Sequence, residues 1–361
     1  MKALIIVLII FAFGCSTNNK SQEHLYFSQF PNEVEVKLKE VPTAPVLSLV
    51  GELLLSDSFL VAYSMKSDSL FQIFDIPGFK YLGSHVLKGE GPGEELFIVP
   101  NLHYYDSNSF LFKTIDNLKI VSYDKHENKI ILHRKIDLPI DFIDIMHFTL
   151  LNEKIIGWNY YNVTNELEFQ LFDIATQKVS NFGNVYPVID FEIKLSDKAS
   201  LFSKSIMSRP DYTHFAALYD RYPFLRIYNE TGNLVKEVRY NNNQIDPARN
   251  LSGLNPEKYI AQQTLNYIKL KVTNNYIYGL YAGKTHSELK TQEYKIDDFC
   301  TEIHIWDWQG NPVSKIMLDR PVFSFAVAQD DSFMVFSSVN EHDKLFYIEN
   351  NEPTYLIKPS E

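Results

Sequence analysis

The chain has 361 residues, of which 45% are hydrophobic and 22% charged; that is enough apolar material for a large core and excludes a disordered tail. Its 26 Phe and 22 Tyr stand against 14 Gly and 2 Cys, a balance that favours strands, on whose pleated surface aromatic side chains pack well. With 34 basic and 45 acidic residues the net charge is -11, which argues against the basic stripe that nucleic acid or an anionic membrane surface requires.

In chain order, Lys2 and the apolar run Ala3 to Phe13 come first, a short positive region and a hydrophobic stretch too short to span a bilayer. Residues 1–14 therefore read as a secretion signal. The run ends at Ala12, Phe13, Gly14, Cys15 with polar Ser16 to Glu23 following, a pattern that resembles a bacterial lipobox, in which cleavage frees a cysteine for acylation. Lipidation at Cys15 leaves Cys300 without a partner, so no disulfide framework is expected, and Cys300 reads as a small core residue. Residues 15–31 become a lipidated cysteine plus a flexible tether, and 32–361 the folded body.

Along the body one local pattern recurs: an alternating strand ending in an aromatic or apolar residue plus Asp, Asn or Glu, then a tight turn, then another strand. The endings are Phe74–Asp75, Tyr123–Asp124, Phe172–Asp173, Tyr228–Asn229, Trp306–Asp307 and Ile348–Glu349, with turn residues Gly78, Asn128, Gln177, Gly232, Gly310 and Asn351. Their mean spacing is about 55 residues, within the range of propeller blades. Two further strand candidates precede the hairpins, as in Asn101 to Tyr105 with Phe110 to Lys113, Phe142 to Phe148 with Lys154 to Trp158, and Val322 to Val327 with Ser332 to Ser337. The expected fold is an all-β, six-bladed propeller with four-stranded antiparallel blades, behind a lipoprotein signal peptide. Glu33 to Lys39 and Thr354 to Lys358 are expected to close the ring in one final blade.

Four long stretches interrupt the pattern: Ser84 to Val99, Asn181 to Lys204, Asn241 to Gln263 and Ala282 to Phe299. With strands a to d counted from the axis outward, all four fall on the face of the d-to-a and b-to-c connections, which becomes the expected binding face. Asn255, Pro256 and Glu257 leading to Gln263 read as a capped helical turn, the one helix expected in the body.

Gly89 to Glu94 is the most distinctive hexamer, but Glu94 stands where a dinucleotide fingerprint needs glycine. Glycines around Pro92 instead build a fixed loop that projects Glu90 and Glu94. Gly91, Pro92, Gly93 and Glu94, with the lipobox and the aromatic-Asp hairpins, are similar to the Bacteroidetes TolB-like six-bladed propeller lipoproteins. The resemblance implies a cell-envelope lipoprotein, and no catalytic residue comes with it.

Gly91, Pro92, Gly93, Glu94 and Arg221 are the candidate binding residues; Glu94 is expected either to brace blades one and two or to meet a partner with Arg221 across the channel mouth. Gly283, Lys284 and Thr285 follow Gly279 one residue too closely for a phosphate loop. Asn101, Asp144, His147 and Asn266 are expected on innermost strands and form a nonspecific candidate set for a divalent cation on the axis. The leading expectation is a non-catalytic, monomeric binding or scaffold module without cofactor, in the cell envelope and anchored to the outer membrane by its lipid. Its partner would be an envelope protein, peptide or glycan, with no nucleic acid. The alternative is a hydrolase or lyase using an axial metal.

Overall fold

A computed structural model describes residues 24–42, 47–159, 166–187, 195–240, 264–285, 300–338, 341 and 343–349. Six sheets follow one another along the chain. Blade 1 comprises Val50–Leu55, Phe59–Ser64, Ser69–Asp75 and Tyr81–Leu87, and blade 2 Val99–Asp106, Ser109–Lys113, Asn117–Asp124 and Lys129–Asp137. Blade 3 comprises His147–Leu151, Lys154–Trp158, Leu167–Asp173 and Lys178–Val185, and blade 4 Lys204–Ser208, His214–Tyr219, Phe224–Asn229 and Leu234–Tyr240. Thr264–Val272, Tyr276–Thr285, Glu302–Asp307 and Pro312–Leu318 make blade 5; Ser324–Val327, Phe333–Ser337 and Leu345–Glu349 begin blade 6. The first strand of each blade touches the first strands of its two neighbours, so these six line the axis and the ring closes.

The core lies between blades rather than at one centre. Leu54, Phe59 and Phe71 of blade 1 pack on Leu102, Phe110 and Tyr123 of blade 2, and five equivalent apolar layers fill the other junctions. This explains the sequence pattern: Phe59–Ser64 is buried throughout because both sheet faces are covered. Lys129–Asp137, an outermost strand, is largely exposed or half-buried along its length. Cys300 is buried in the layer between blades 5 and 6, and burial pushes its thiol up, as suits an inert core residue.

The turn residues Asn128, Gln177, Gly232 and Gly310 have positive φ, as expected of their hairpins. In blade 1 the positive φ falls on Phe79 instead of Gly78, because the Phe79 ring is drawn inward against Tyr347 of blade 6, 5.2 Å away. Asn351 lies outside the described residues. The expected strand over Phe142 to Phe148 is also corrected: Ile140–Phe142 is a 3-10 turn, and the strand begins at His147. The turn buries Phe142 between blades 2 and 3, which a strand there would not do.

The N-terminal part departs most from expectation. Lys39–Glu40 supplies the fourth strand of blade 6, while Glu33–Val36 joins blade 5 as a fifth, parallel strand beside Pro312–Leu318. His24–Phe27 adds another parallel strand to blade 4, inside the segment expected to be a free tether. The physical reason is Phe30, buried between blades 4 and 5 against Tyr240, His304 and Trp306. Thr354 to Lys358 lie outside the described residues. The helix found is Leu195–Leu201, within the long stretch after blade 3; Asn255 to Gln263 are not described.

Candidate functional site

Charge crosses the axis. Glu52 lies in the inner strand of blade 1, and Lys269 and Lys271 lie in that of blade 5, with blade 6 between them in the ring. Lys269 Nζ donates to Glu52 Oε2 at 2.5 Å and to Gly51 O at 3.1 Å; Lys271 Nζ donates to Glu52 Oε1 and, at 2.8 Å, to Leu53 O. Burial alone would raise the Glu52 carboxyl, but the two ammonium groups outweigh it and hold it below the ordinary carboxylate range. His103 and His147 stand nearby on the inner strands of blades 2 and 3. Burial and Lys271 press His103 down to about 3, while burial and Lys269 press His147 down to about 4. Both imidazoles are neutral at physiological pH, so two ammonium groups face one carboxylate.

That donor set does not suit a divalent cation. Asn101, His147 and Asn266 are on inner strands as expected, but Asp144 is exposed in the connection before blade 3. The His147 ring stacks on Trp158 at 5.6 Å, and the Asn266 backbone N–H donates to Asp220 O at 2.5 Å. Among the described residues no three His, Cys, Asp or Glu side chains are grouped to hold a metal.

On the face of the short a-to-b turns, a depression is lined by His103, Tyr104, Thr149, Met207, Ser208 and Tyr212. Its space of about 30 Å³ holds about two waters. The buried His103 Nε2 has no protein partner, a lone pair or N–H that such a water would satisfy. Tyr212 crosses the rim toward blade 2, its hydroxyl 3.4 Å from Tyr105 O.

On the opposite face, Glu94 folds back on its own loop: Oε2 accepts from Gly91 N at 2.9 Å and lies where a side chain at Gly89 would sit. Glu94 thus braces the hexamer itself instead of two blades. The brace to blade 2 is the neighbouring Glu95, ion-paired with Lys119. Gly93 has φ +82°, a conformation that favours glycine. Arg221 belongs to the b-to-c connection of blade 4, diametrically across the six-membered ring from blade 1, and the structure does not bring it to Glu94. Gly283, Lys284 and Thr285 end a strand of blade 5 and form no loop.

Beside Arg221, burial raises the Asp220 carboxyl to about 6, with a Ser203 hydrogen bond and the charges of Arg221 and Lys204 opposing. An acid whose folded value exceeds its unfolded one favours folding below the unfolded value, near pH 4, and loses that contribution as pH rises through the folded value. Asp220→Asn is therefore expected to raise stability at pH 8 by about 1–2 kcal/mol, after discounting for partial exposure, and to change little below pH 4. Urea midpoints at the two pH values check this; an offset equal at both would refute it.

A second charged cluster, between blades 3 and 4, escaped the sequence reading. Glu168 accepts hydrogen bonds from Lys204 Nζ at 2.7 Å, Tyr219 OH at 2.5 Å, Tyr228 OH at 2.7 Å and Arg226 Nη1. Arg226 Nε also donates to Glu237 at 2.7 Å. Lys204 Nζ lies 5.0 to 5.6 Å from the ring centroids of Tyr219, Tyr186, Phe169 and Trp158. With Glu168 and Lys204 side chains fully buried, the cluster joins blades and presents nothing to solvent. Its signal, and that of Glu52 and Lys271, was a charged residue inside a strand otherwise made of buried side chains.

The described part of the loop face belongs mainly to blades 1 to 3, since residues 241–263 and 286–299 lie outside the described residues. Among the described residues eleven large hydrophobic side chains are exposed. Eight of them, Met65, Leu87, Leu96, Phe97, Ile115, Ile140, Met146 and Val185, sit at strand ends or connections on the d-to-a and b-to-c face, all in blades 1 to 3.

Residues 30–330 match the sequence profile described as "TolB-like 6-blade propeller-like". Among solved structures, a member of the DUF4221 family from Bacteroides vulgatus is 12% identical with a TM-score of 0.48, covering 86% of this chain and 97% of its own. Hydrazine synthase of Kuenenia stuttgartiensis is 10% identical with a TM-score of 0.44, covering 85% and 97%. No curated protein matches the chain. Six blades around one axis, reached independently by a profile match over most of the length, mean that the chain belongs to the TolB-like six-blade propeller family.

Proposed function

We propose that this propeller is a non-catalytic binding or scaffold module of the cell envelope, lipid-anchored at Cys15, that engages a partner through the loop-rich face of blades 1 to 3. The observation that carries the reading is that, of the eleven large exposed apolar side chains among the described residues, eight lie on that one face. Apolar side chains left in water near one another mark association sites. Aliphatic residues dominate the arc, which suits a protein or peptide better than a glycan, whose rings stack on aromatic platforms. The polar groups of the axis support the same reading from the other side: Glu52, Lys269 and Lys271 are spent on one another. An axial-metal hydrolase or lyase would have to place its cation beside those two ammonium groups, and nothing favours it. The anchor rests on the lipobox-like Gly14–Cys15 sequence, and the outer membrane is the proposed address.

Replacing Leu96 and Phe97, exposed by 60% and 43%, with serine is expected to weaken capture of partners from an envelope extract at least about tenfold. Leu132→Ser, on the outer strand of blade 2, serves as the control and should leave capture unchanged. Equal capture by all three proteins would remove the loop face as the binding surface.

A further inference from the structure

We propose that the outer edge of blade 4 is the surface that faces the bilayer, so that the apolar arc of blades 1 to 3 is turned away from the membrane. This rests on the anchoring reading above and adds an orientation to it. His24–Phe27 pairs in parallel with Leu234–Tyr240, with His24 opposite Glu237 and Phe27 opposite Tyr240. The latter strand, fourth from the axis, runs from the short-turn face toward the loop face, and His24–Phe27 lies parallel outside it, so the chain joins the ring at this edge, heading away from the short-turn face. Nine peptide links separate Cys15 from His24. Fully extended they span about 31 Å, at roughly 3.4 Å per residue. A lipid on Cys15 therefore keeps the blade 4 edge within that distance of the headgroups. Blade 1, which carries Leu96 and Phe97 in its exit loop, lies diametrically across the ring.

The chemistry of the edge fits independently of the tether. Among the described residues three large hydrophobic side chains are exposed outside the loop-face arc, and two are here: Tyr26, exposed by 61%, and Val235, exposed by 47%. The guanidinium of Arg239 lies 5.6 Å from the Tyr26 ring centroid and 4.4 Å from that of Phe224, ion-paired with Glu237 at 2.5 Å, while Lys236 lies against Gly310 of blade 5. An exposed tyrosine lying over an arginine, with an exposed valine on the same edge, suits the headgroup level, where amphipathic rings place their apolar parts inward and polar ends in water. The overall charge of -11 argues against electrostatic adhesion of the whole body, so contact at one edge depends on the tether bringing it there.

The acylated full chain, reconstituted into vesicles of phosphatidylethanolamine and phosphatidylglycerol, tests the proposal with a fluorophore at Val235→Cys or at Phe97→Cys. Cys300 is buried and acylation blocks Cys15, so the introduced thiol is the accessible one. Nitroxide-headgroup lipids should quench the probe at 235 at least threefold more than the probe at 97, and Tyr26→Ser should narrow the difference. Equal quenching, or stronger quenching at 97, in protein that floats with the vesicles would overturn the orientation and leave the anchor standing. Protein that does not float at all would overturn the anchor, and the orientation with it.

Discussion

Glu168→Gln is expected to lower the unfolding free energy by about 3–5 kcal/mol, the cost of leaving buried charge without its partner. In the native protein the Glu168 carboxylate accepts from Lys204, Arg226, Tyr219 and Tyr228 at once. Glutamine keeps the shape and cancels the negative charge, so Lys204, enclosed by four aromatic rings, loses its hydrogen-bonded anion and keeps only the weaker pull of Asp220, or must release its proton. Arg226 retains Glu237 and is affected less. Burial alone would raise the Glu168 carboxyl, but Lys204 and Arg226 together hold it below the ordinary range. A carboxyl depressed in the folded state contributes fully above its unfolded value, near pH 4.5, and loses that contribution as pH falls through the folded value. The gap between native and variant urea midpoints should therefore be widest near neutrality and close in acid. A variant within 1 kcal/mol of the native protein at pH 7 would show that the cluster is not an ionised joint between blades 3 and 4.

Phe30→Ala is expected to cost about 3–5 kcal/mol, the range for truncating a buried aromatic side chain. The ring is 5% exposed and lies 4.5 Å from the ring of His304, 5.0 Å from Phe27 and 5.8 Å from Trp306. It fills the outer end of the junction between blades 4 and 5 and pins both added parallel strands. His304 behind it is fully buried, with Nδ1 hydrogen-bonded to Tyr267 at 2.9 Å and Nε2 to Glu302 at 3.1 Å. Opening the junction would hydrate that ring as well. Urea unfolding monitored by tryptophan fluorescence measures the loss, and limited proteolysis should cut the variant near residue 28 faster than the native chain. An unchanged midpoint would return residues 24–31 to the free tether expected from their place after Cys15.

What the sequence determined by itself is what local physics encodes. Asn128, Gln177, Gly232 and Gly310 adopt positive φ where the hairpin pattern requires it, and the recurrence of that hairpin implied six similar sheets. The long interruptions mapped to one face because strand direction alternates from a to d, whereas the burial of Phe59–Ser64 on both faces came only with the neighbouring blades. The Gly89–Glu94 hexamer was legible as a fixed loop, although the role of its acids was not: Glu94 closes the loop and Glu95 reaches blade 2. The remainder depends on residues far apart in the chain. Glu33 to Lys39 reads as one alternating strand, and only the closed ring decides that Glu33–Val36 lies on blade 5 while Lys39–Glu40 completes blade 6. Glu52 meets Lys269 and Lys271 because ring closure brings two inner strands more than 200 residues apart to one axis. Phe30 falls in the segment expected to be a tether, and only the slot formed by two blades gives it a place in the core. Backbone turn preferences and side-chain alternation are properties of a few neighbouring residues, whereas pairing across blades exists only once the ring has closed.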